Sequence, residues 1–328
     1  MIKPNLRAAL SCVCMLAPLF VAAAACAQEV GKPLRIVQGF AAGGGHDTVS
    51  RLLAPIVGTQ LGVQVIVEAR PGANGMIGAE SVARSAPDGN TIFLSGVSTF
   101  VLNPLVYSKV PYDTLKEFAP ITLVAATPQI LVAHPGLPVK TLNDVAALAV
   151  RNPGKLSAGS PGVGGLSHLT LEMFKRMAKA DIAHVAYKGT AAALNDVLGG
   201  HVPLIIGDLP GPLPHVKSGR LRAISVTSEQ RSPLLPDLST ASEQGYRELQ
   251  STNWYGIMAP AGVPAATVMR IHAALVAAAQ SPQTRERYAS LGIDPVVSTS
   301  PAAFTAFVRE EFTRWDTVVR STGIQLQQ

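Results

Sequence analysis

Short apolar runs alternate with glycine-rich turns and amphipathic stretches along almost the whole chain. Residues 34–37 (LRIV) form an apolar run of the length and kind expected of a buried parallel strand. The chain then turns through Gly39, Phe40, Ala41 and Ala42 into three consecutive glycines, Gly43, Gly44 and Gly45. Asp47 or Thr48 is expected to cap a helix whose apolar face is Val49, Leu52, Leu53 and Ile56. A strand, a glycine loop and a helix start leave backbone N–H groups bare at the end where the helix dipole is positive. Glycines there remove the Cβ atoms that would block an approaching anion.

The pattern repeats. A strand is expected over residues 63–68, a glycine-rich turn over 70–75, a helix over 76–84 and a buried strand over 91–94. That strand ends in small polar residues, 95–99. Three strand–loop–helix units in succession predict a parallel sheet with helices on both faces, and ligands in such sheets sit beyond the carboxyl ends of the strands. Residues 104–120 are punctuated by proline and should wind over the surface. Two apolar strands, 122–125 and 130–133, are expected on either side of Thr127 and Pro128, where the chain crosses to a second lobe. Thr141 should cap a helix that ends before Pro153. A second glycine-rich loop, 157–167, feeds a helix over 168–178 with Leu169, Met173 and Met177 on one face and Ser167 as its cap. Strands follow at 182–187, 202–206 and 221–226, with Lys188-Gly189 as a turn and Thr190 as a helix cap between the first two. Residues 254–258 form the return strand. Helices then start at Pro264 and at Ser300-Pro301, the last with Phe304, Val308, Phe312, Trp315 and Val319 on one face. The expected fold class is α/β: two doubly wound lobes, 28–128 with 253–328 and 129–252, joined by a hinge.

Composition narrows the setting. Residues 1–27 run from Lys3 and Arg7 through an apolar stretch to Ala25-Cys26-Ala27, the order of a secretory signal peptide. Other readings of the segment are a membrane anchor and lipidation at Cys26. All three cysteines, Cys12, Cys14 and Cys26, lie inside it, so the exported chain would carry neither disulfides nor a thiolate metal site. The net charge of +6 falls to +4 without Lys3 and Arg7, and the remaining cations are scattered. Nucleic-acid binding would need a basic stripe, and none is present.

Catalytic patterns are missing too. None of His46, His134, His168, His184, His201, His215 and His272 falls in an HxxxH or HExxH spacing, and no GxSxG or GxxxxGK[ST] occurs. Ser167, His168 and Asp47 offer a nucleophile, a base and an orienter only if a cleft brings them together. What remains is a glycine-rich helix start in each lobe, without Lys or Arg in either loop. Backbone N–H groups and hydroxyls facing each other across a cleft suit reversible capture of a carboxylate.

In this respect the chain resembles the periplasmic solute receptors of tripartite tricarboxylate transporters, the Bug receptors. The resemblance rests on KPLRIVQGFAAGGGHD from Lys32, VIVEARPGANGMIGAESVARSAPDG from Val65 and FAPITLVAATPQILVAHP from Phe118. It continues through SHL at Ser167, YKG at Tyr187, LPHVKSGRLRAISVTSEQRSPLLPD from Leu213 and NWYG at Asn253. It implies a type II periplasmic-binding-protein fold and a monomer that closes about its hinge, without catalysis, cofactor or metal. It also implies a small carboxylate ligand passed to integral membrane permease subunits, and no role for nucleic acid. Carried over by position, the first gripping loop comprises Phe40, Gly43, Gly44, Gly45, His46 and Asp47. The facing loop comprises Ser160, Gly162, Val163, Gly164, Gly165, Leu166 and Ser167. Ala73, Asn74, Ser95, Ser98 and Thr99 would line the first-lobe wall, and Tyr187 and Asp208 the second. His46 stands where relatives usually carry Thr or Ser, Asp208 replaces a common Asn, and Val163, Gly165 and Leu166 make the second loop less polar. Those departures favour an aromatic or long aliphatic mono- or dicarboxylate over a hydroxylated acid. Asp208 would favour an amine-bearing end and His46 an anionic one. The rival class is an exported α/β enzyme acting on a small carboxylate or ester.

Overall fold

The computed structural model describes residues 32–326. Residues 1–27, expected to be a signal peptide, lie outside the described residues. The elements appear in the order β1 (Leu34–Gln38), α1 (Gly45–Leu61), β2 (Val65–Ala69), α2 (Met76–Ala83), β3 (Thr91–Gly96), α3 (Asn103–Val106) and β4 (Phe118–Ala133). They continue as α4 (Leu142–Arg151), β5 (Leu156–Ser160), α5 (Leu166–Ala178), β6 (Ile182–Ala186), α6 (Thr190–Leu198), β7 (Leu204–Asp208), α7 (Leu213–Lys217) and β8 (Arg222–Val226). The chain returns through β9 (Thr252–Pro260) to α8 (Ala265–Gln280), α9 (Pro282–Leu291) and α10 (Pro301–Thr322).

β2, β1 and β3 are parallel, and β9 joins β3 antiparallel. In the other half β6, β5 and β7 are parallel, and β4 pairs antiparallel with β7 and β8. β4 belongs to both halves. Its residues 118–128 pair with β9, and 129–133 pair with β7 and β8. Two strands, 122–125 and 130–133, were expected here, separated by Thr127 and Pro128. One 16-residue strand forms instead. Pro120 and Pro128 both sit in the part whose partner strand is β9, with only an isolated bridge from Ala126 to Asp294 on the other edge. A missing N–H is tolerated at such an edge.

Burial on both faces explains the apolar runs. Ile92 and Leu94 pack with Leu53 and Val57 of α1 and Leu275 of α8. The residue between them, Phe93, packs with Met76 of α2 and Phe304, Val308 and Trp315 of α10 on the opposite face. The second half repeats this, with Leu204 and Ile206 against Leu171 and Phe174 of α5, and Ile205 against Leu194 and Val197 of α6. Thr141 caps α4 as expected, and Asp144 completes a capping box with it. No helix among the described residues is long and apolar enough to cross a membrane.

Candidate functional site

A cavity of about 90 Å³ lies between the halves, walled by the loops that follow β1, β2, β3, β5, β6 and β7. Three helices start at it. α1 begins at Gly45 after Gly44, α5 at Leu166 after Gly165, and α6 at Thr190 after Gly189. All three N-caps are glycines and so supply no side-chain cap of their own, while the first N–H of α5, at Leu166, donates to Ser98 Oγ at 3.0 Å. Neither Asp47 nor Thr48 is the cap of α1, as the sequence suggested. Asp47 lies in the first turn, accepts from Gly43 N at 3.1 Å and pairs with Arg51 at 2.9 Å. The Gly43 N–H is therefore occupied, while those of Gly44, Gly45 and His46 meet no acceptor among the described residues. Ser167 is not the cap of α5 either. Its hydroxyl donates to Gln129 Oε1 at 2.5 Å.

Of the residues expected at the site, Phe40, Gly44, Gly45, His46, Asn74, Ser98, Gly162, Gly165, Leu166, Ser167 and Asp208 line this cavity. Gly43 lines an adjoining cavity of about 210 Å³ that shares Gly44, Gly45, Thr190, Ala191 and Asp208 with the first. The others stand behind the wall. Ala73 and Asn74 both have positive φ, and Thr99 Oγ1 and Asn103 Nδ2 hold Asn74 there by donating to its carbonyl. Ser95 in turn donates to Thr99 at 2.7 Å. Two consecutive non-glycine residues in that region are strained and persist only where neighbours fix them. Ser95 and Thr99 thus position Asn74 rather than face a ligand. Tyr187 turns away to donate to Asp196. Val163 is 39 % exposed outside the cavity, and Gly164 packs against Tyr107 and Leu326. Gly165 lies close against the first-lobe wall, since a Cβ there would come within 3.1 Å of Asn74 Oδ1.

The second loop is braced from beneath by two imidazoles. Ser160 donates to Gly162 O at 2.8 Å and lies 2.7 Å from His184 Nε2. The His184 ring stacks on His168 with centroids 3.8 Å apart, and His168 Nδ1 accepts from Gly164 N. Burial, with the Lys175 charge beside it, lowers the His168 pKa to about 4; burial and then the neighbouring His168 ring lower His184 to about 4, with Glu172 opposing. No His168–Ser167–Asp47 triad exists, because Ser167, His168 and Asp47 each engage the separate partners just described.

His46 was expected to attract an anion, but the structure makes it neutral. The ring is 9 % exposed, stacks on Phe40 at 4.2 Å and meets Tyr255 edge-on, and burial lowers its pKa to about 3. Its Nε2 is buried without a partner among the described residues. Asp208, at the end of β7, accepts from Gln129 Nε2, from Asn253 Nδ2 at 2.8 Å and from the Tyr255 hydroxyl at 2.8 Å. Burial raises its pKa, and those three hydrogen bonds oppose the rise.

Several wall residues were not expected at the site: Lys188, Gly189, Thr190, Ala191 and Asn253. Lys188 and Thr190 had been read as part of a turn and a cap. The start of α6 carries the same glycine-then-helix signal as α1 and α5 in a much shorter form. The expectation of a site without cations rested on the two long loops and passed over Lys188.

Residues 49–324 match the family described as tripartite tricarboxylate transporter family receptor. Protein BugT of Bordetella pertussis is 33 % identical over 316 residues, covering 94 % of this chain and 97 % of that protein. The structure of the periplasmic binding protein BugD is similar at 34 % identity and a TM-score of 0.84, covering 90 % of this chain and 99 % of the other. MatC from Rhodopseudomonas palustris with bound malate gives 30 % identity and a TM-score of 0.82, covering 88 % and 98 %. An R. palustris protein solved with adipate gives 30 % and 0.86, covering 90 % and 98 %.

Proposed function

Because the chain belongs to the tripartite tricarboxylate transporter receptor family, whose members are solute-binding receptors and not enzymes, we propose that it captures a small organic carboxylate in the periplasm and delivers it to membrane permease subunits. One observation carries the reading: three helix N-termini, each with a glycine cap, meet at one cavity. Each turns its first-turn N–H groups and a positive dipole end toward the same volume, with only the Leu166 N–H of α5 already taken up among the described residues, by Ser98 Oγ, and this suits a carboxylate. Similar proteins solved with adipate and malate support a carboxylate ligand.

In this reading residues 28–128 and 253–328 form one lobe and 129–252 the other, with β4 and the entry to β9 as the hinge. Leu166 N donating to Ser98 Oγ at 3.0 Å and Tyr107 Oη donating to Val163 O at 2.9 Å would be made on closure. The apolar part of the wall, Phe40, Pro161, Leu166 and Ala191, favours a ligand with an apolar body. Calorimetric titration with benzoate, terephthalate and adipate should give tighter binding than with citrate, malate and tartrate. The best binder should be recovered unchanged and should reduce the radius of gyration in solution scattering. Tighter binding of the hydroxylated acids would overturn the apolar body. An unchanged radius at saturation would overturn the hinge.

Gly44 offers a clean test of the N–H grip. Its φ of −87° suits any residue, and a Cβ there would find nothing nearer than Ala41 O at 3.7 Å. Gly44→Val should therefore fold normally while shielding the start of α1, weakening the tightest carboxylate about tenfold to a hundredfold. Unchanged affinity would remove α1 from the site. Gly164→Val is a poorer choice, because Gly164 has a φ of +70° and touches Tyr107.

A further inference from the structure

The charges around the cavity do not match a plain carboxylic acid. Asp208 lines both adjoining cavities and is half-buried as a residue, with its carboxyl group desolvated by the surrounding wall. Its hydrogen-bond donors are the Gln129 amide, the Asn253 amide and the Tyr255 hydroxyl, all neutral. No cationic group acts on it among the described residues. A carboxylate has about four acceptor sites, so three donors leave room for one more. His46, on the same wall, is held neutral by burial and offers no compensating charge. A buried carboxylate without a counter-charge is costly, and a ligand carrying the missing cation recovers that cost on binding. Lys188 lies exposed in the same wall and has no carboxylate partner among the described residues. The wall thus offers one unmatched carboxylate, one unmatched ammonium and three helix N-termini.

We propose that the ligand is an amino-bearing carboxylate, a zwitterion whose ammonium donates to the free acceptor site of Asp208 while its carboxylate rests on the helix N-termini. This rests on the carboxylate-receptor reading above and makes it narrower. A second carboxylate at the Asp208 end would instead face like charge across a short, poorly screened distance. Lys188, at the rim, adds to the pull on the carboxylate end. Asp208 is thus a specificity-determining residue, and the Ser167–Gln129–Asp208–Tyr255 chain of hydrogen bonds fixes where its oxygens point.

The test is a calorimetric comparison of matched probes. Phenylalanine, 6-aminohexanoate and 4-(aminomethyl)benzoate span different amine-to-carboxylate separations. Each is set against its amine-free counterpart, 3-phenylpropanoate, hexanoate or 4-methylbenzoate, and adipate and terephthalate serve as dicarboxylates. At least one aminocarboxylate should bind about tenfold to a hundredfold more tightly than its amine-free partner. The same advantage should vanish in Asp208→Asn, which keeps an acceptor oxygen and whose folding is checked by its thermal transition. If amine-free acids or dicarboxylates bind as tightly as their amino counterparts, the proposal fails and the carboxylate-receptor reading stands. If no probe of any kind binds, both fall. Persistence of the amine preference in a folded Asp208→Asn would also overturn the role of Asp208.

Discussion

Gly45→Ala should destabilise the protein by about 2–5 kcal/mol and disorder one end of the site with it. The first residue of α1 packs directly beneath Tyr255. A Cβ at Gly45 would overlap the Tyr255 hydroxyl and come within 3.0 Å of Cζ. That hydroxyl cannot move freely, because it donates to Asp208 at 2.8 Å and its ring is wholly buried. Relief therefore requires either a shift of α1 or loss of a hydrogen bond to a buried carboxylate. The first overpacks a core that is already dense, and the second leaves a charge less well satisfied. The comparison with Tyr255→Phe separates these costs. Tyr255→Phe alone should destabilise through the lost hydrogen bond, yet in the Gly45→Ala background it removes the clashing oxygen. The double variant should thus be more stable than the sum of the single effects predicts, by about 1 kcal/mol or more in a denaturation cycle. Additive behaviour would mean that α1 moves aside and Tyr255 stays. Binding of the tightest carboxylate should fall with Gly45→Ala for the same reason, since the start of α1 and the Asp208 network are displaced together.

The second large effect is on the acid side of the stability curve. His46, His168 and His184 have pKa values lowered to about 3, 4 and 4, chiefly by burial. The unfolded chain binds a proton at each near pH 6.5, so below that pH it holds more protons than the folded state. Their contribution is fully present above about pH 6.5 and is lost as pH falls toward the folded values. By pH 4.5 each well-buried ring has given up on the order of 2–3 kcal/mol, and the partly exposed His184 less. The loss, on the order of 5 kcal/mol in all, is comparable to the whole stability of many domains. Asp208 and Asp294 act oppositely, because burial raises their pKa values and protonation relieves them as pH falls. The histidines should nevertheless dominate, since three rings oppose two carboxyls and two of the rings stack 3.8 Å apart. The thermal midpoint should drop steeply between pH 6.5 and 4.5, and His46→Phe, which can keep the stack on Phe40, should flatten the slope. A midpoint independent of pH over that range would show that these rings protonate within the folded state.

Much of this architecture is local, and the sequence alone determined it. Leu34 to Val37, Gly43 to Gly45 and the face of Val49 and Leu53 specify a strand, a turn and a helix through neighbours a few residues apart, so the unit can be read from its own letters. The same logic found the loop before α5, and small polar residues at the ends of the strands pointed to the side where ligands gather. Tertiary structure decided what no local pattern encodes. β4 runs unbroken through Pro128 because of which edge lacks a neighbour, a property of strand order and not of residues 118–133. Capping by Asp47 and Ser167 failed because glycines at Gly44 and Gly165 already take the extended backbone of the cap, which frees those side chains for Gly43, Arg51 and Gln129. Charge was the least legible feature. His46 is neutral and Asp208 lacks a counter-charge because of what folding packs around them: Phe40 and Tyr255 on one, Gln129, Asn253 and Tyr255 on the other. Lys188 and the start of α6 reach the cavity because parallel strands bring their carboxyl ends to one edge, whatever the separation of their loops in the chain.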